Sequence, residues 1–189
     1  MGFDIVEKFK DKKLKERIKN RDQEAFEILY EQNADHIYRF IFFKIGKKEE
    51  AADLSSLAFL KTWEHIQKKS LKEKDTLRAL LYKIARNIVI DHYRENKKDN
   101  LSLDDENNRI DIVDESSDIE RDASNQFDYE VLSNKMMELK NEYREVLVMR
   151  YVNDLSLDEI SQISGKKKIN VRVLLHRATK ALKEIMNEK

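Results

Sequence analysis

The chain has 189 residues, 39% of them charged and 40% hydrophobic, with three glycines, no proline and no cysteine. The lack of cysteine excludes disulfides and thiolate metal sites, and so little turn chemistry argues against an all-β fold. The net charge of zero hides a segregation. Residues 1–95 hold 21 basic against 17 acidic side chains (+4), residues 96–130 hold 4 against 12 (−8), and residues 131–189 hold 12 against 8 (+4). No apolar run reaches the ~18 residues of a membrane span, and the N-terminal MGFDIVEKFKDKK has no signal-peptide core, so a soluble cytoplasmic protein is expected.

In chain order, a short basic helix is expected near Leu14 to Asn20. A second spans about Asp22 to Ile45, with Phe26, Leu29, Tyr30, Ile37, Phe40 and Ile41 at a 3.6 period and Gly46 as its stop. A third runs from about Lys48 to Lys68, with Ala52, Phe59, Trp63 and Ile66 inward. After a lysine-rich stretch, a fourth runs from about Thr76 to Asn96 with Leu77, Leu80, Leu81, Ile84, Ile88 and Val89 inward. Residues 97–130 lack sustained periodicity and are rich in Asp, Asn and Ser, which reads as an acidic linker. Helices from about Tyr129 to Leu139 and from Glu142 to Val152 follow. The expected fold is all-α: two small helical domains (1–96 and 131–189) joined by the linker.

The segment SLDEISQISGKKKINVRVLLHRATKALK, starting at Ser156, reads as a helix-turn-helix. Ser156 and Glu159 form a capping box, Leu155 and Ile160 a hydrophobic staple, and Gly165 tolerates the positive φ of a sharp turn. The second helix keeps Val171, Leu174, Leu175, Ala178, Leu182 and Ile185 inward. Its start and outer face carry cations and polar groups, as an α-helix entering a DNA major groove requires. An ordinary helical hairpin with a solvated charged face is the bland alternative.

Three stretches, AADLSSLAFLKTW (Ala51 to Trp63), LRALLYKIARNIVIDHYR (Leu77 to Arg94) and EYREVLVMRYVNDLSLDEIS…VRVLLHRATKAL (Glu142 to Leu182), in this order and spacing resemble bacterial RNA polymerase sigma factors of the extracytoplasmic-function (ECF) type. The resemblance implies a protein without a catalytic site, cofactor or metal, whose partners are core RNA polymerase and promoter DNA. It implies that the first domain docks on the polymerase clamp and reads the −10 element, while the second sits on the flap and reads the −35 element. An anti-sigma partner is common in the family. The free protein is expected to be monomeric and not bound to a membrane.

The resemblance assigns Asp53, Leu54, Leu57 and Lys61 to polymerase binding, although Ser56 and Leu57 stand where the family usually has Gln and Glu. For the −10 element the candidates are Lys69, Lys72, Lys74, Arg78, Tyr82, Arg86, Asn87 and Arg94, because a melted strand needs cations for phosphate and planar or hydrogen-bonding groups for unstacked bases. For the −35 element they are Lys167, Lys168, Arg172, Arg177 and Lys180 on phosphate, with Asn170, Val173 and His176 at base edges or a thymine methyl. Two other function classes compete. A stand-alone helix-turn-helix regulator would bind duplex DNA without polymerase, as a dimer on paired half-sites. An enzyme is disfavoured by four scattered histidines without metal-ligand spacing and by the absence of a Gly-rich phosphate loop.

Overall fold

The computed structural model describes residues 2–68, 76–100 and 132–187, with side chains placed within 11–68, 76–95 and 132–187. All the regular elements among them are helical. They are α1 (Gly2–Lys19), α2 (Gln23–Ile45), α3 (Lys48–Lys68), α4 (Leu77–Asn100), a short α5 at 132–137, α6 (Asn141–Leu147) continuing into a π-helical turn (Val148–Val152), α7 (Leu157–Ser164) and α8 (Lys168–Asn187).

The caps set the boundaries. Asp22 caps α2 by accepting from the Ala25 amide at 3.1 Å, and it also pairs with Arg17. Gly46 ends α2 at φ +80°, returning its amide to the Phe42 carbonyl. A side chain there would strain the backbone, and its Cβ would meet the Met137 methyl at 2.7 Å. Thr76 caps α4 through the Ala79 amide. In the helix-turn-helix the Ser156–Glu159 capping box is formed, Leu155 and Ile160 are fully buried, and Gly165 turns at φ +70°.

Several boundaries differ from those read in the sequence. α1 begins at Gly2 rather than near Leu14, and α4 runs to Asn100, past the expected linker start. The helix expected from Tyr129 is described only from residue 132. The single helix expected over Glu142 to Val152 is α-helical to Leu147 and then widens, with the Asn153 amide bonding back five residues to Val148. Asp154 follows at φ +52°, a conformation aspartate tolerates better than most residues.

The stripe on α3 is also shifted. Ala51, Ser55, Ala58, Phe59, Thr62 and Ile66 face inward, and Ala52 is exposed. Ser55 and Thr62 return their hydroxyls to the Ala51 and Ala58 carbonyls, so two residues that read as polar can be buried without an unsatisfied donor.

The two halves are packed together. One apolar cluster runs from Ile37, Phe40, Leu81 and Val89 in the first half to Met136, Val146, Met149, Ile160 and Val171 in the second. A smaller cluster (Ile18, Ala25, Leu29, Ile66, Leu77 and Leu80) ties α1 to α2, α3 and α4. Arg144 of α6 fastens the junction. Its guanidinium donates to the carbonyls of Lys44 (3.1 Å), Met136 (2.9 Å), Met137 (2.8 Å) and Leu139 (3.2 Å). It thus adds a donor to the C-terminal end of α2 and supplies a partner to the Met137 and Leu139 carbonyls at and after the end of α5.

Candidate nucleic-acid and polymerase interfaces

α8 presents its outer face whole. Lys167, Lys168, Asn170, Arg172, Val173, His176, Arg177 and Lys180 are all exposed, whereas Val171, Leu175 and Ala178 are buried beneath them. The spacing 169, 172, 173, 176, 177, 180 keeps the outer side chains on one stripe. Lys167 lies just before the helix and accepts the Asn170 and Val171 amides on its carbonyl. Lys166, Lys167 and Lys168 surround this first turn, and Lys166 is 3.0 Å from Glu142 of α6. Lys168 is 2.7 Å from Asp158 of α7, and Lys180 is 3.8 Å from Glu184. Ile169, 60% exposed, belongs to this face and was missed in the sequence because it reads as a core residue.

α4 does not bring its candidates together. Arg78, Tyr82 and Arg86 recur every four residues and lie against the second half of the chain, while Asn87 lies on another face. Arg78 donates to the Asn153 carbonyl at 2.7 Å and stands 3.8 Å from Glu159. Arg86 donates to Glu145 at 2.8 Å. Tyr82 is fully buried, edge-on to Phe40 with the Arg78 guanidinium 6.0 Å from its ring. Burial pushes its hydroxyl up to about 12. As placed here, Tyr82 is a core residue and not an exposed stacking platform, which corrects the sequence expectation. Arg94 is exposed and 3.6 Å from Asp91. Lys69, Lys72 and Lys74 lie outside the described residues.

Asn87 lines a shallow groove of about 340 Å³ between α3 and α4, together with Lys61, His65, Lys68, Ile84 and Asp91. The groove adjoins the end of α3, where the lysine-rich segment begins. It sets imidazole, amide and ammonium groups beside the Glu64 and Asp91 carboxylates over an aliphatic floor, and Lys68 is 3.3 Å from Glu64.

On α3 the exposed face carries Ala52, Asp53, Ser56, Leu60, Lys61 and Glu64, with Leu57 half-buried at its edge. Leu54 and Leu57 are both partly buried against the core. Leu60, at 55% exposure, is the apolar centre of that face. A second apolar surface is a groove of about 340 Å³ between α5, α6 and α8, lined by Leu132, Met136, Leu147, Tyr151, Leu182 and Met186. Tyr151 and Met186 are more than half exposed there. No sequence period marks it, because its residues come from three elements.

At the junction of the halves, Glu145 receives Lys44 at 2.5 Å and Arg86 at 2.8 Å. Burial alone would raise its carboxyl, but the two cations outweigh that and hold it below the ordinary value. Burial likewise lowers the Lys44 ammonium, against the pull of Glu145. Tyr93 donates its hydroxyl to the Lys44 carbonyl. Asn153, fully buried, donates to the His36 carbonyl at 2.6 Å. Among the described residues no three His, Asp or Glu side chains converge as a metal site, and no helix is long and apolar enough to cross a membrane.

Two family models match successive parts of the chain. Residues 29–99 match the family model for sigma-70 region 2, and residues 129–182 match that for sigma-70 region 4. The chain is 31% identical to the ECF RNA polymerase sigma factor SigW of Bacillus subtilis over 94% of this chain and 97% of that protein. It is 28% identical to the ECF sigma factor BldN of Streptomyces coelicolor over 92% of this chain and 64% of that protein. The fold is similar to that of the sigma factor RpoE from Bartonella quintana, solved in complex with the anti-sigma factor NepR, with TM-score 0.69, 19% identity and coverage of 87% and 98%. With helices in this order and a capped helix-turn-helix at the end, the chain belongs to the ECF RNA polymerase sigma factors.

Proposed function

We propose a division of labour among four surfaces of this sigma factor. It binds core RNA polymerase and directs initiation at promoters, contributing binding energy and no bond chemistry of its own, in the compartment of the polymerase, the cytoplasm. The observation that carries this reading is the outer face of α8, where a capped helix-turn-helix exposes cations and Asn170 over a buried apolar seam. That face reads the −35 element. Arg172, Arg177, Lys167, Lys168 and Lys180 hold phosphate, while Asn170, His176 and the aliphatic pair Ile169 and Val173 meet base edges and thymine methyls.

The groove of α3 and α4 with Asn87, His65 and Lys68 receives an unstacked base of the −10 element. Flipping a base costs a few kcal/mol, and amide and imidazole contacts in a preformed groove offset it. The Leu57, Leu60, Asp53 and Lys61 face of α3 docks on the clamp. The groove of Leu147, Tyr151, Leu182 and Met186 takes an apolar segment of the flap. The domains fall at 1–96 and 131–189, with 97–130 joining them, and an anti-sigma protein is the expected antagonist.

The test is run-off transcription with core polymerase freed of sigma, on a library of promoter-like DNA. Selective initiation that depends on the chain supports the reading and yields both elements. No initiation, combined with tight binding of duplex DNA by the protein alone, overturns it in favour of a stand-alone regulator.

A further inference from the structure

One cavity belongs to none of the four surfaces. It has a volume of about 330 Å³ and lies between α4, α6, α7 and the start of α8. Its floor is hydrocarbon, including Val89 and Ile90 of α4, Val146 of α6, Ile160 of α7 and Leu174 of α8. Met149 adds a side chain that adapts to the shape of what it meets. That residue sits in the π-helical turn, an irregularity that recurs at functional sites. The charged groups of the lining are Lys44, Arg86 and Lys166 against Glu142 and Glu145, which leaves one positive charge in excess. A concave, largely apolar space of this size with a few placed polar groups has the character of a small-molecule site.

The charges select the class of ligand. Lys44 and Glu145 are spent on each other at 2.5 Å, and both are largely covered. Arg86 engages Glu145 through Nε, and the amino ends of its fork can receive a second oxyanion. Lys166 is 3.0 Å from Glu142, but that carboxylate is exposed and such a pair contributes little. A ligand carboxylate can therefore take the Lys166 ammonium while Glu142 returns to water. A cationic ligand would meet the excess positive charge, and a doubly charged phosphate would face Glu142 and Glu145 as well as the cations. A single carboxylate on an aliphatic body matches both the charge and the floor.

We propose that this cavity binds an aliphatic monocarboxylate of medium chain length, with its chain against Val89, Ile90, Met149 and Leu174 and its carboxylate between Lys166 and Arg86. The lining comes from both family matches, so the ligand adds its binding free energy to the stability of the packed chain. The site is separate from the outer faces of α3 and α8.

The probe is sodium octanoate, titrated into the full chain by isothermal calorimetry below its micellar range. The titration contains neither polymerase nor DNA, so its outcome is independent of the sigma-factor reading, which run-off transcription decides. Octanoate should bind at one saturable site and raise Tm with concentration. Butanoate, with less hydrocarbon to bury, should bind at least about 10-fold more weakly. Octylammonium and octyl phosphate should each bind at least about 10-fold more weakly than octanoate, because both set like charges together. Lys166→Gln should weaken octanoate at least about 5-fold by removing a charge-assisted contact. Ile90→Trp and Leu174→Phe fill the cavity from α4 and from α8, and each should reduce octanoate binding at least about 20-fold. Circular dichroism confirms that the variants keep their helices; if one of the two filling variants loses them, the other decides. Absence of saturable binding at millimolar octanoate, or full affinity in a folded cavity-filling variant, would overturn the site. Equal binding of octylammonium or octyl phosphate, or an unchanged affinity in Lys166→Gln, would overturn the carboxylate assignment.

Discussion

Arg144→Ala should be among the most damaging single substitutions, and its cost can be worked from the four carbonyls that the guanidinium meets. Two of these acceptors keep a partner when the side chain is removed: the Lys44 carbonyl still receives Tyr93, and that of Met136 still receives the Leu139 amide. The carbonyls of Met137 and Leu139 lose theirs among the described residues. Each orphaned buried acceptor costs about 1–3 kcal/mol. Burial lowers the Arg144 pKa, so removing the charge also relieves a desolvation cost, and the net loss should be about 3 kcal/mol. For a chain of this size that is a fall of roughly 6–12 °C in Tm. Urea denaturation followed by circular dichroism measures it directly. Arg144→Lys should recover less than half, because one ammonium cannot reach four acceptors set around a planar fork. Tyr93→Phe in the Arg144→Ala background should cost about 1 kcal/mol more than Tyr93→Phe alone, since only then is the Lys44 carbonyl bare. A loss below about 1 kcal/mol for Arg144→Ala, or full rescue by lysine, would refute the capping role.

Ser156→Ala should destabilise the helix-turn-helix by about 1 kcal/mol through loss of the capping box, read as a lower urea midpoint with an unchanged slope. Leu60→Glu should leave the unfolding free energy within about 0.5 kcal/mol of the parent yet weaken binding to core polymerase severalfold in a pull-down titration, since the side chain is exposed. Ile169→Ala and Asn170→Ala should each change the preferred −35 sequence in a promoter-library experiment, whereas Arg172→Ala should weaken all promoters alike. Acidification should destabilise the packed form in two steps, seen as falling Tm across a pH series. The His36 imidazole is held below its ordinary value chiefly by burial and by Arg78, so its contribution is full above the unfolded value of about 6.5 and fades as pH falls below it. The Glu145 carboxyl is also lowered, so its contribution is full above the unfolded carboxylate value and is lost as pH falls through the folded one.

The helices whose stripes are aliphatic were legible from spacing alone. Leu77, Leu81, Ile88 and Val89 on α4, and Val171, Leu175 and Ala178 on α8, are buried where the 3.6 period put them. Ser156, Glu159 and Gly165 announced the helix-turn-helix because capping is a local interaction between residues near in sequence. On α3 the period failed because Ser55 and Thr62 satisfy their hydroxyls within their own helix, a solution that a polarity scale counts as exposure. The junction was illegible for a different reason. Lys44, Arg78, Arg86, Arg144 and Glu145 read as surface charge one by one, and only their meeting with partners about 60 to 100 residues away in sequence buries Lys44 and Arg144 and partly covers Arg78, Arg86 and Glu145.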